Sequence, residues 1–369
     1  MRVAPFAIER FYERWEFRAE LMLSSSDCES RAVDDLLSLE PDARERLLGL
    51  HLGYTEVPGS PELRGAVAAG YERIEPDAVL SLAAAEEGIF LVYHALLDSA
   101  SHAIVETPCY GSALELARST GATVSEWRRR YEDRWDHDVA ALQGLLQPHT
   151  RVIYINSPHN PTGTQMGPEV FERVLELAKE RDIVVLSDEV YRGLEHDTAN
   201  RLPAACDRYT RAISLGAVSK AHGLPGLRVG WLAGRSPELM DRVKELKLYT
   251  TICCSAPSEM LVALALRHAD RVIGESRELL LANLPVLQAF LDRHRDTFAW
   301  VQPSAAPIGF ARVSGVDDVT AWCERIAAEA GVLLLPGSVY GEPEHVRLGY
   351  GRANMPDAVR RLEAYLEDL

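Results

Sequence analysis

Val218-Ser219-Lys220-Ala221-His222-Gly223-Leu224-Pro225-Gly226-Leu227-Arg228-Val229-Gly230-Trp231 sets a lysine just after an apolar run and an arginine eight residues later, across a turn of glycine and proline. Such a run reads as a buried strand, and the turn residues mark where it stops. Working outward, short apolar runs at 79–84, 103–107, 151–156, 183–187, 211–216 and 227–233 read as strands with helical patterns between them. One of these, 168–181, carries Val170, Val174, Leu175 and Leu177 near one helical face. The alternation predicts an α/β fold with a mainly parallel sheet, whose ligands sit beyond the carboxyl ends of the strands. Lys220, Asp188 of SDEVY (187–191) and Asn160 of NSPHNPTG (156–163) all fall at such ends.

The lysine–arginine segment, together with these motifs in this order, resembles the class I/II (fold type I) pyridoxal-phosphate-dependent aminotransferases. The likeness runs from about Tyr54 to Arg347. It implies a large domain over 46–257, with a mainly parallel seven-stranded sheet flanked by helices, and a smaller α+β domain made of 1–45 and 258–369. The helical pattern from Ser258 to Arg295, too long for one compact helix, reads as a connecting helix. Strands near 308–313 and 331–335 and a last helix from Pro356 would complete the small domain, with the first ~45 residues packed against it.

The resemblance also implies roles. Lys220 would bond the cofactor aldehyde and carry protons, and Asp188 would keep the ring nitrogen protonated so that the ring accepts electrons. Asn160 and Tyr191 would hydrogen-bond the phenolic oxygen, and Tyr110 of TPCYGS (107–112) would stack on the ring. The phosphate would meet Arg228, Ser219 and the main chain of Ala84, Ala85 and Glu86, at a helix N-terminus whose free N–H groups attract dianions. Relatives often carry Gly, Ser or Thr in that segment, and a serine where Ala217 stands, so fewer hydroxyl contacts are expected. Tyr54, opening YTEVPGSPELR (54–64), would reach the phosphate of a neighbouring subunit, which implies a homodimer with shared sites. Arg347 of HVRLGYGR (345–352) would hold the substrate α-carboxylate, with Arg352 as its competitor. His159 either lines the site or caps its loop. Plainer readings stand beside these: Asp188 as a helix cap, Asn160 as a turn residue, Tyr54 and Tyr110 as core tyrosines.

Composition sets the outer bounds. The 369 residues are 47% hydrophobic and 25% charged, with a net charge of −16, and so acidic a chain is a poor partner for nucleic acid. Six cysteines, at 28, 109, 206, 253, 254 and 323, show no CxxC spacing, so no metal site or disulfide framework is expected. The opening MRVAPFAIERFYERWEF is too charged for a secretory signal, and a cytoplasmic setting is expected. The implied activity is transfer of the α-amino group of a free amino acid to a keto acid by a ping-pong mechanism. The alternative is a lyase, replacement enzyme or cyclase on the same cofactor, since LSSSDCES (23–30) resembles capreomycidine synthases, which cyclise a modified arginine. Asp27 and Glu29 in that segment would favour a substrate with a basic side chain. Their plainer reading is a turn cap and a solvated charge.

Overall fold

The computed structural model describes residues 3–368. Its strands in chain order are β1 (Leu21–Met22), β2 (Val79–Leu82), β3 (His102–Thr107), β4 (Thr123–Arg128), β5 (Thr150–Asn156), β6 (Val184–Asp188), β7 (Ala212–Ala217), β8 (Gly230–Gly234), β9 (Phe298–Trp300), β10 (Ile308–Val313), β11 (Val332–Leu333), β12 (Leu335–Pro336) and β13 (His345–Gly349). Seven form one sheet in the order β2-β8-β7-β6-β5-β3-β4, parallel except for β8, which runs antiparallel to both neighbours. The buried strands are runs of Val, Ile, Leu and Ala, because helices cover both faces. Ile89 and Val92 of the helix Ala85–Leu96 pack on one face, and Phe171, Val174 and Leu177 of the helix Pro168–Glu180 on the other.

The six expected strands are present with shifted ends, and β4 is an addition. Its sequence, TVSEWR, buries only Trp127, so no apolar run announces it at the sheet edge. A second sheet, β12-β13-β10-β9, is antiparallel, and β1 pairs with β11. The long helical stretch is two helices, Ala256–Arg267 and Ala269–Arg293, separated at His268.

The N-terminal segment divides between two cores. Ile8, Phe11, Leu23 and Cys28 do pack with the second sheet and its helices. Leu36, Leu37 and Ala43 pack instead with Leu63 and Val67 and with Leu261 and Val262 of the helix Ala256–Arg267. Leu36–Leu37 and Leu63 offer each other apolar faces that neither segment can bury alone. No helix among the described residues is long and apolar enough to cross a membrane.

Strand β8 meets the start of the helix Ala85–Leu96 without room for a side chain. A Cβ on Gly230 would stand 2.9 Å from Ala84 C, Ala85 N and Gly216 O, all backbone atoms. Overpacking of this kind costs about 1–3 kcal/mol. Gly230→Ala is therefore expected to lower the unfolding free energy by that amount, read as a lower denaturant midpoint at unchanged slope; an unchanged midpoint would contradict the packing.

Candidate active site

A cavity of about 640 Å³ lies where the parallel strands end. The chain turns out of β5, β6 and β7 at that edge, which brings Asn160, Asp188 and Lys220 to one wall. Strand β8, running the other way, brings Arg228 just before its first residue. The expected site residues line the cavity except Tyr54, which is 95% exposed, Glu29 and His159. His159 is buried behind the wall, with Nδ1 bonded to Thr162 Oγ1 at 2.8 Å, so its role is in the loop.

Lys220 donates to Ser26 Oγ at 2.9 Å. Burial lowers its pKa below the usual lysine range; Asp27 opposes that shift and Arg347 reinforces it. Asp188 accepts from Tyr154 Oη at 2.9 Å and the Val190 amide at 3.2 Å. Burial pushes its carboxyl up to about 6, against those two bonds. Tyr191 Oη is buried without a hydrogen-bond partner. Asn160 Oδ1 accepts from Tyr340 Oη at 3.0 Å and Arg347 Nη1 at 3.2 Å, which leaves the amide NH₂ as its donor.

Arg347 is 2% exposed and braced by Ser24 O at 2.8 Å, Tyr12 Oη at 2.6 Å and Tyr340 Oη. Arg352 is instead paired with Asp27, Nη2 to Oδ2 at 2.9 Å. That pair neutralises the carboxylate expected to face substrate, and Glu29 accepts the Ala353 amide at 2.7 Å instead of facing the cavity. Carboxylates the sequence did not single out take that place: Glu9, held by Tyr110 Oη at 2.5 Å, and half-buried Glu16. Burial raises the Glu16 pKa, with Arg352 opposing and Glu9 and Asp27 adding to it.

At the opposite end, Ala84 precedes the helix Ala85–Leu96 at φ 83° with no side-chain cap, so the first amides of the helix are free. Arg228, at φ 51°, also occupies the left-handed region. Two non-glycine residues in that region on one cavity wall are strain that the surrounding fold must hold. Glu86 turns its carboxylate to Ser112 Oγ at 3.0 Å, and burial pushes its pKa up to about 7. Tyr12, Ser26, Tyr154 and Tyr340 went unread in the sequence. Tyr154 alone had a signal, sharing the strand face of Asn156 two residues on.

These residues fit pyridoxal phosphate. The uncapped helix start with Arg228 suits a dianion, Asp188 suits a ring cation, and the orphaned Tyr191 hydroxyl suits a phenolic oxygen. The buried amine of Lys220 suits an aldehyde.

Comparison with known proteins agrees with this chemistry. The family described as "Aminotransferase class I and II" matches residues 21–362. Capreomycidine synthase of Streptomyces vinaceus is 31% identical over 96% of this chain and 90% of its own length. Aspartate aminotransferase of Thermotoga maritima is 29% identical over 90% of this chain and 89% of its own. Among solved structures, a PLP-dependent aminotransferase from Streptococcus suis superposes with a TM-score of 0.94 at 27% identity, covering 100% of this chain and 99% of that one.

The Asp188 carboxyl sets up a stability test. Its pKa rises from 3.8 to about 6 on folding, so the folded state disfavours the charge. That cost is absent below about pH 4, grows as pH rises, and is complete above about pH 6, where it reaches about 2–3 kcal/mol. In the cofactor-free protein, Asp188→Asn is expected to be more stable than wild type at pH 7.5 and indistinguishable near pH 4 in urea unfolding. A difference independent of pH would contradict this.

Proposed function

The chain belongs to the aminotransferase class I and II family, and from that premise we propose that it moves the α-amino group of a free amino acid to a keto acid by a ping-pong mechanism. One observation carries the reading: the desolvated Lys220 amine and the buried Arg347 guanidinium face a single cavity. Bound pyridoxal phosphate supplies an electron sink for the charge left at Cα when its proton departs. Arg347 pairs with the α-carboxylate and orients the amino acid. Lys220 Nζ, made easier to deprotonate by burial, would take the proton from Cα and deliver it to the cofactor's C4′. Asp188 holds a proton at the ring nitrogen, and Tyr191 and Asn160 donate to the phenolic oxygen. Arg228, Ser219 and the amides of Ala84, Ala85 and Glu86 bind the phosphate, and Tyr110 covers the ring.

Tyr54 serves the neighbouring subunit in a homodimer. Leu48, Leu52, Tyr249 and Ile252 are exposed apolar side chains near it in sequence or across the Thr55–Cys254 bond, as such an interface requires.

A second reading has its own support. The serine-rich segment 23–30 enters the site, Ser26 holding Lys220, and the chain is similar to a capreomycidine synthase. A lyase, replacement enzyme or cyclase begins with the same loss of the Cα proton. Under either reaction the substrate carries a basic side chain. The Asp27–Arg352 pair is internally neutral, Arg228 and Arg347 meet phosphate and carboxylate, and Glu9 and Glu16 are left to face a cation.

Mixing the loaded enzyme with single amino acids separates the reactions. One equivalent of keto acid without a second substrate is the outcome for transamination; ammonia or a cyclised product is the outcome for the rival. Arginine or ornithine is expected to exceed leucine and glutamate in kcat/KM. Glu16→Gln should narrow that preference about twofold to fivefold, the range of a partly exposed ion pair. Glutamate as best substrate would refute the basic-side-chain reading.

A further inference from the structure

Behind the wall that carries Asn160 and Asp188 lies a charged cluster that touches nothing in the cavity. Glu106, at the end of β3, is fully buried. Its Oε1 accepts from Arg129 Nη1 at 3.0 Å and from His137 Nε2 at 2.8 Å. Its Oε2 accepts the backbone amide of Asn156 at 2.8 Å. Asn156 then makes two side-chain bonds, taking the Asn160 amide on Oδ1 at 2.8 Å and giving Nδ2 to Asp188 O at 3.0 Å. One asparagine thus ties both groups that face the ring, and one carboxylate ties that asparagine.

Arg129 holds the far end of the same turn. Its Nη2 donates to Thr164 Oγ1 at 2.5 Å, and Thr164 bonds Thr162 Oγ1 at 2.7 Å, which in turn bonds His159. Burial pushes His159 down to about 3, with Arg129 adding to the shift, so it is a neutral brace. A buried ion pair stabilises a fold little compared with apolar residues of the same volume. Its value here is directional: the pair fixes the turn 156–164 at both ends with oriented bonds.

We propose that Glu106 is a positioning residue which, through Asn156, sets where Asn160 and Asp188 meet the cofactor ring, with Arg129 balancing its charge. This rests on the proposed function, because it needs the ring to sit in this cavity. A displacement of about 1 Å at reacting groups can cost about a hundredfold in rate. Loosening Asn160 also weakens donation to the phenolic oxygen, and its ionised form then becomes harder to reach.

The test compares two charge-balanced double variants of the full chain. Glu106→Gln with Arg129→Gln keeps an acceptor for the Asn156 amide; Glu106→Leu with Arg129→Leu removes it at similar volume. The readouts are pyridoxal phosphate affinity from tryptophan fluorescence, the pH midpoint of the bound cofactor's visible absorption, and kcat and KM separately. The leucine pair is expected to raise the pH midpoint by about one unit and lower kcat at least tenfold, with KM and cofactor affinity within about threefold. The glutamine pair should stay within about threefold of wild type throughout. Should the leucine pair fail to fold, Asn156→Ala, which deletes both bridging bonds and leaves Glu106 and Arg129 in place, is expected to raise the midpoint alike. A variant folded and loaded with an unmoved pH midpoint would overturn the inference and leave the proposed function standing. A wild type that takes up no pyridoxal phosphate would overturn both.

Discussion

Burial of the Lys220 amine is the constraint on which the rest of the site depends. A charged ammonium is costly to enclose, and here the Arg347 guanidinium shares its cavity. The two cations can share the space only because their surroundings differ. Arg347 is braced by carbonyl and hydroxyl oxygens on several sides, whereas Lys220 has one hydroxyl, from Ser26. The guanidinium keeps its proton under any ordinary condition and the amine does not. Fixed charge for binding and transferable proton for chemistry are thereby assigned by burial and bonding.

The same economy of partners shapes the remaining walls. Asp188 is buried with a hydroxyl and an amide but no cation, so its charge awaits one from a ligand. Asp27 and Arg352 satisfy each other and close the mouth beside Glu16. Behind the ring wall, the Glu106–Arg129 pair is neutral as a unit and exerts its influence through direction of bonding. Of the groups that face the cavity, the Tyr191 hydroxyl has no partner and Lys220 has one, whereas Glu106 behind the wall accepts three hydrogen bonds.

How far this was legible in the sequence follows from the range of each interaction. Strand ends and the residues beyond them were readable, because apolar runs are local and ligands gather at the carboxyl edge of parallel strands. Tyr12, Tyr340 and the Asp27–Arg352 pair were not, since they join positions 12, 27, 340, 347 and 352 across the whole chain. Edge strand β4 lacked an apolar run, and the apolar positions of 33–48 show that the segment packs without saying against which core. Glu106 reads as one acidic residue in a strand; only the fold brings Arg129, His137 and Asn156 around it.

The central claim, that the Lys220 amine is the group presented to the cofactor aldehyde, is most directly measured by chemical trapping. The protein is incubated with pyridoxal phosphate, reduced with borohydride, digested and mapped by mass spectrometry. The account predicts the cofactor on the peptide containing Lys220. Lys247 supplies an internal control: it is more deeply buried than Lys220, and its Nζ is taken by the Val57 and Ile252 carbonyls at 2.8 and 2.7 Å. Label on Lys247 or any other lysine, with Lys220 unmodified, would contradict the account.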